Sequence, residues 1–237
     1  PVISLKFLLF AAILIIASLP ERIAAAPLEA YPEATFVPTE WADGDSFHVR
    51  LPGGREETFR LYYVDCPETE LDRESTLERL QEQAAFFGIP NPVNAREAAE
   101  EAAAFTREIL SEPFTVHTSF AQAPSGGSGE RYYAFIELAD GNLLSEKLVA
   151  AGWARVSGEE RKTPNGIHHL EQKAALEDLQ LIAAVDRRGT WKYSDFTQLA
   201  ELREEVRAKE AESAKSAPPP SSKPVRLRPS KICWVCT

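Results

Sequence analysis

Hydrophobic positions along the chain switch between two spacings. Runs rich in alternating, aromatic or β-branched residues predict strands at 34–41, 46–51, 56–64, 114–118 and 131–138. Tight turns, Ala42-Asp43-Gly44-Asp45 and Pro52-Gly53-Gly54, separate the first three. The helical spacing takes over at 95–110, an Ala-rich stretch stopped by Ser111-Glu112-Pro113. It returns at 143–151, ended by Gly152, and at 167–188, an amphipathic stretch with Gly189 as its stop. A further short helix, 76–87, falls inside the long connection after the third strand. Five short strands of this kind suit a small closed barrel. The expected architecture is one α+β domain: a five-stranded barrel, about three packed helices, and a helical insertion after the third strand.

The two ends follow other rules. Residues 7–19 (FLLFAAILIIASL) are an unbroken apolar run preceded by Lys6 and ended by Pro20-Glu21-Arg22. A bilayer-spanning helix needs about 20 such residues. With the small residues Ala24, Ala25 and Ala26 beyond it, the run reads as a secretory signal peptide over 1–26, an uncleaved membrane anchor being the alternative. The folded part is then secreted or periplasmic and spans 27–195. A charged helix follows at 196–214, then a Pro- and Ser-rich tail over 215–237 that carries five cations and no acid. Cys233 and Cys236 in that tail have C-x-x-C spacing, but a structural zinc site takes four ligands and no second pair is near.

Composition narrows the function. The chain has 237 residues and a net charge of −10, which argues against a protein held to nucleic acid by overall positive charge. Residues 68–112 contain eleven acids and four bases, so the insertion carries most of this imbalance. Acidic helices repel a polyanion, and this surface is expected to face away from any nucleic-acid track. Three cysteines are too few for a disulfide scaffold.

Candidate chemistry concentrates in three segments: Asp43-Gly44-Asp45, the run from Arg60 to Asp65-Cys66-Pro67-Glu68, and Arg131 at the head of the fifth strand. Singly, each is ordinary: a hairpin turn, loop chemistry, an outward-facing arginine. Together they suit phosphodiester cleavage, which needs charge neutralised on phosphoryl oxygens, a water activated, and both held in line. Arg60 and Arg131 offer forked donors to phosphate. Asp45 and Asp65 offer oxygens to a hard dication. Glu68 stands three residues past Asp65, within reach of a water as general base. One conflict arises: strict alternation puts Arg60 and Asp65 on opposite faces of the third strand. Both serve one site only if the strand bends or ends near Val64.

The segments DGDSFHV, FRLYYVDCPE and RYYAFIELADGNLLSEKLVAAGWARV resemble the staphylococcal-nuclease-like (thermonuclease) family over residues 35–191, with Trp191 soon after the last helix. The resemblance implies an OB-fold barrel and Ca²⁺-dependent hydrolysis of DNA and RNA. It implies Asp45, Asp65 and the backbone carbonyl of Cys66 as metal ligands, Glu68 as the base, and Arg60 and Arg131 as phosphate clamps. The expected protein is a monomer that acts on nucleic acid and needs no protein partner. A non-catalytic nucleic-acid-binding module of the same fold is the alternative. Three positions depart from the family pattern: Cys66 replaces a Thr, Ser128 and Gly129 replace a Lys-Tyr pair, and Gly158 replaces a Tyr. Weaker affinity for short nucleotides is the expected consequence. His48 and His117 read as satisfied strand residues, and His168-His169 as no metal pair.

Overall fold

The computed structural model describes residues 26–124 and 129–216. Strands β1 (Glu29–Val37), β2 (Ser46–Arg50), β3 (Glu56–Leu61) and β4 (Val64–Asp65) come first. Helices α1 (Glu74–Phe87) and α2 (Pro92–Ile109) precede β5 (Phe114–Ala123) and β6 (Arg131–Glu137). Then follow α3 (Leu144–Ala150), β7 (Arg155–Val156), α4 (His169–Val185), a 3₁₀ turn (Gly189–Tyr193) and α5 (Leu199–Ser216). The apolar run 7–19, Ser128, and the tail with Cys233 and Cys236 lie outside the described residues. Among the described residues no helix is long and apolar enough to cross a membrane.

Five strands pair in the order β1-β2-β3-β6-β5, and β1 pairs again with β5, so the ring closes. Alternation sets its interior: Phe47 and Val49 of β2, Phe59 and Leu61 of β3, and Val116 of β5 are all buried. Each such side chain contributes about 1.5–3 kcal/mol on leaving water. Leu144, Leu148 and Leu176 bring α3 and α4 onto the same core. A second cluster joins α1 to the 3₁₀ turn through Leu80, Phe87 and Trp191, whose ring meets Phe87 edge-on at 4.7 Å. α5 is fastened to the end of α1 where Arg203 donates to the Phe86 carbonyl at 2.6 Å.

Several boundaries differ from the sequence expectation, each for a physical reason. The first strand runs Glu29–Val37 rather than 34–41, because Pro38 has no N–H to continue the ladder. The fifth extends to Ala123, held against β6 through Gln122 and Tyr132 beyond a register shift. The third stops at Leu61 instead of 64. Tyr63 has φ of 71°, a left-handed conformation that is unusual for a bulky side chain. Val64 and Asp65 then leave the ring and pair antiparallel with Arg155 and Val156. The break that alternation required is there. His48 Nδ1 meets Thr58 Oγ1 at 3.1 Å and His117 Nε2 meets Glu137 at 2.7 Å.

Candidate active site

The site forms where β2, β3, the β4 strand and α1 meet. Its first part is the turn before β2. Asp43 Oδ1 accepts the Ser46 and Asp45 amides at 2.6 and 3.1 Å, an Asx turn that turns Asp45 inward. Asp45 Oδ2 accepts the Cys66 amide at 2.7 Å, joining two segments far apart in sequence. Gly44 permits the approach: a Cβ there would lie 2.6 Å from Cys66 Sγ. Thr106 of α2 donates to the Gly44 carbonyl at 2.8 Å and fixes the turn from behind.

Arg60 lies opposite Ser46 in the ladder and points away from the ring interior. The reversal at Tyr62-Tyr63 brings Asp65 round to meet it. Arg60 Nη2 is 2.7 Å from Asp65 Oδ1, and Nη1 is 3.2 Å from Asp45 Oδ1. Burial opposes the Arg60 charge, but Asp45, Asp65 and Asp43 outweigh it and hold the guanidinium protonated. Arg131, at the head of β6, approaches from the other side. Its Nη1 is 3.3 Å from Ser46 Oγ, which Arg60 Nη1 also approaches at 3.4 Å. Ser46 donates in turn to Asp45 Oδ1 at 3.0 Å. Asp45, Asp65, Arg60 and Arg131 therefore share one site, as the sequence required of them.

Asp65 is more heavily engaged than the sequence suggested. Arg155, its cross-strand partner, donates Nε and Nη2 to Oδ2 at 2.8 Å each. Arg79 of α1 donates Nη2 to Oδ1 at 2.6 Å and Nε to Glu68 Oε1 at 2.9 Å. Gln83, one turn further along α1 and fully buried, donates Nε2 to Asp65 Oδ2 at 3.0 Å and to the Cys66 carbonyl at 2.7 Å. Its Oε1 accepts the Glu68 amide at 2.9 Å. One buried amide thus ties three of the four residues of the Asp65–Glu68 run: Asp65, Cys66 and Glu68.

These surroundings separate the acids. Burial pushes Asp65 up, but Arg155, Arg60 and Arg79 outweigh it and hold it below the usual carboxylate range. Asp43 goes the other way: burial, then Asp45 and Glu68, push it well up. Glu68 is raised by burial first, with Arg79 pulling it down and Asp45 and Asp65 pushing it up. The Cys66 thiol is driven up by burial and by Asp45, Asp43 and Asp65, so it stays protonated. A cavity of about 130 Å³ opens beside these groups, lined by Glu68, Asp43, Ser46, Arg79 and Arg131.

A dication fits this donor set poorly as it stands. Ca²⁺ takes six to eight oxygens with free lone pairs. Here both Asp65 oxygens, the Cys66 carbonyl and Glu68 already accept protein N–H groups. Among the described residues no group of three or more His, Cys, Asp or Glu is arranged to hold a metal ion.

The inserted helices do not stand away from this site. α1 packs on it and supplies Arg79 and Gln83, while its acids Glu74 and Glu78 are exposed. Their spacing, four residues on one helix face with Thr76 three residues before Arg79, was the available signal. Arg155 had no local signal at all; it lies 90 residues from Asp65 in sequence and meets it only through β4–β7 pairing.

A closed ring of five strands with helices packed against it is an α+β fold of the OB-like kind, with acids and arginines gathered at one edge. The family model described as staphylococcal nuclease homologue matches residues 58–193, more than half of the chain, and the protein belongs to that family. Its members are generally nucleases, and those nucleases typically use Ca²⁺. The match includes Arg60, Asp65, Cys66, Glu68 and Arg131, while Asp43 and Asp45 precede it. No curated protein matches the chain.

Proposed function

We propose that the protein is an exported nuclease that hydrolyses phosphodiester bonds of DNA, RNA or both by attack of water. The observation that carries this reading is that three separate segments meet at one place: Glu68 and Arg131 line a small cavity, and the buried cluster of Asp45, Asp65 and Arg60 is joined to it through Ser46. Glu68 is the general base. It borders the cavity, and its upward shift brings it nearer the pH at which a carboxylate both takes a proton and stays available. Arg131 borders the cavity too, and Arg60 shares Ser46 with it, so the two guanidiniums lie side by side for a phosphoryl group. Asp45 and Asp65 hold Arg60 in place and keep it charged.

The family resemblance assigns Ca²⁺ to Asp45, Asp65 and the Cys66 carbonyl. Because these oxygens are engaged by the chain's own donors, no step is derived through the ion. That engagement favours a second reading, a non-catalytic nucleic-acid-binding module built on an OB-fold. Incubating the purified chain with plasmid DNA and with RNA, in Ca²⁺ and in chelator, separates the two. Strand breakage in Ca²⁺ supports the nuclease; binding without breakage under either condition supports the module.

Export rests on the 7–19 run and its small-residue flank. Sequencing the N-terminus of the protein recovered outside the cytoplasm tests it, with cleavage near Pro27 expected.

A further inference from the structure

The second half of α1 carries a charge imbalance that the active site does not explain. Phe86 follows Arg79 on the same helix face, about 10 Å along the axis at a rise of about 1.5 Å per residue. A cavity of about 320 Å³ opens there, and its charged lining is Glu82, Arg155, Arg203 and Arg207. Arg155 is committed: its Nη2 is 2.8 Å from Asp65 Oδ2 and 2.8 Å from Glu82 Oε1. That pairing also takes up Glu82, the one carboxylate in the lining. Arg203 and Arg207 remain, one turn apart on α5, a spacing at which like charges repel. Arg203 holds its guanidinium 4.9 Å over the Phe86 ring and donates Nη2 to the Phe86 carbonyl at 2.6 Å. Among the described residues its buried Nε has no hydrogen-bond partner, and neither arginine has a carboxylate within salt-bridge distance. Burial first and then the Arg207 charge pull the Arg203 pKa down, and no acid opposes them. Two neighbouring cations that nothing balances, one of them half-buried, leave a place for an anion.

We propose that Arg203 and Arg207 bind a backbone phosphate of the nucleic-acid strand, at a second site beside the one that cuts. Guanidinium forks match the oxygens of a phosphate, and the contact needs no displacement of Arg155 from its two carboxylates. The strand is the favoured source of that phosphate because this cavity shares a face of α1 with Arg79, which borders the cavity of Glu68 and Arg131. At about 3.4 Å per nucleotide along a duplex strand, the two places are about three nucleotides apart. Both arginines lie beyond residues 58–193, so α5 adds this contact to the part of the chain that the family model matches. The inference rests on the nuclease-like site described above and concerns how the strand is held, not how it is cut.

The test is the affinity of the full chain for a labelled single-stranded oligonucleotide in chelator, measured by fluorescence anisotropy over a range of KCl concentrations. Each phosphate contact adds about 0.7 to the slope of log affinity against log salt on a single strand. Arg207→Gln should lower that slope by about 0.7, and Arg203→Gln combined with it by about twice as much. Arg207→Lys keeps the charge and should keep the wild-type slope. Arg96→Gln, an exposed arginine of α2 paired with Glu100, should match wild type as well. Arg207 is exposed and makes no hydrogen bond or ion pair among the described residues, so its variants keep the fold. Should the double variant not fold, Arg207→Gln alone decides.

An unchanged slope in Arg207→Gln overturns the proposal, as does a wild type that does not bind. Inorganic phosphate tests the other source. If it raises the Tm of wild type more than that of Arg207→Gln while the slope stays unchanged, the pair takes free phosphate and the strand assignment falls. Plasmid breakage in Ca²⁺ by the same proteins keeps the two ideas apart. A lowered slope without breakage preserves the phosphate site and removes the nuclease. Breakage with an unchanged slope does the reverse.

Discussion

At the scale of the residue, environment sorts three neighbouring acids, Asp43, Asp65 and Glu68, into different states. Asp65 is held ionised by three arginines, whereas for Asp43 burial, Asp45 and Glu68 outweigh the pull of Arg60 and of the Ser46 amide. The consequences for stability have opposite signs. Asp65, with a folded value below its unfolded one, contributes stability that is present at neutral pH and lost as pH falls through the folded value. Asp43, with a raised folded value, favours folding only at low pH and loses that contribution as pH rises through it. Asp43→Asn keeps an oxygen for the Ser46 and Asp45 amides and removes the buried charge. At pH 7 it should raise Tm by about 2–4 °C for each kcal/mol gained, as measured by thermal unfolding. A lower Tm would show that the Asp43 charge supports the turn. For Glu68, the rate of DNA cleavage should decline on the acid side as the raised carboxyl takes up its proton. Its midpoint in a pH–rate profile should lie above that of an ordinary glutamate.

At the scale of the element, the site depends on how strands end. β3 is legible in the sequence as an aromatic and β-branched run, and the demand that Arg60 and Asp65 meet makes its early end legible too. The device that ends it is not: a left-handed Tyr63 is fixed by tertiary bonds, its amide donating to the Glu159 carbonyl and its own carbonyl accepting from Ser157. Helix α1 is likewise legible as a helix between 76 and 87. What it does is not, because Arg79 and Gln83 look like ordinary polar positions until the fold lays their face against Asp65. Gln83→Leu leaves Glu68 N–H and the Cys66 carbonyl without their partner inside the fold. Each orphaned group costs about 1–3 kcal/mol, so chemical denaturation should show a loss of several kcal/mol. A near-neutral result would mean that water replaces the amide. Gly44→Ala drives a methyl group to within 2.6 Å of Cys66 Sγ and should cost about 1–3 kcal/mol while displacing Asp45.

At the scale of the whole molecule, the question is how a chain with a net charge of −10 approaches a polyanion. The acids of the insertion that point outward, such as Glu74 and Glu78, oppose it, and the arginines of the site are largely committed to carboxylates. The five cations of residues 215–237 are then the natural source of attraction. Each phosphate they engage adds about 0.9 to the slope of log affinity against log salt on duplex DNA. Deleting 215–237 should flatten that slope in a binding titration; an unchanged slope assigns the tail another role. The ring and its helices were legible from hydrophobic spacing because burial imposes it on every element. The partners of Asp65 were not, since Arg79 and Arg155 reach it across 14 and 90 residues.

In the proposed reaction the carboxylates and arginines gathered at the edge of the ring cut a phosphodiester bond with Glu68 as the base. The most direct test is the initial rate of plasmid nicking in Ca²⁺ by wild type and Glu68→Gln, both shown folded by circular dichroism. A fall of about 10²–10⁴-fold in the variant is the expected result. Equal rates, or no nicking by the wild type, would contradict it.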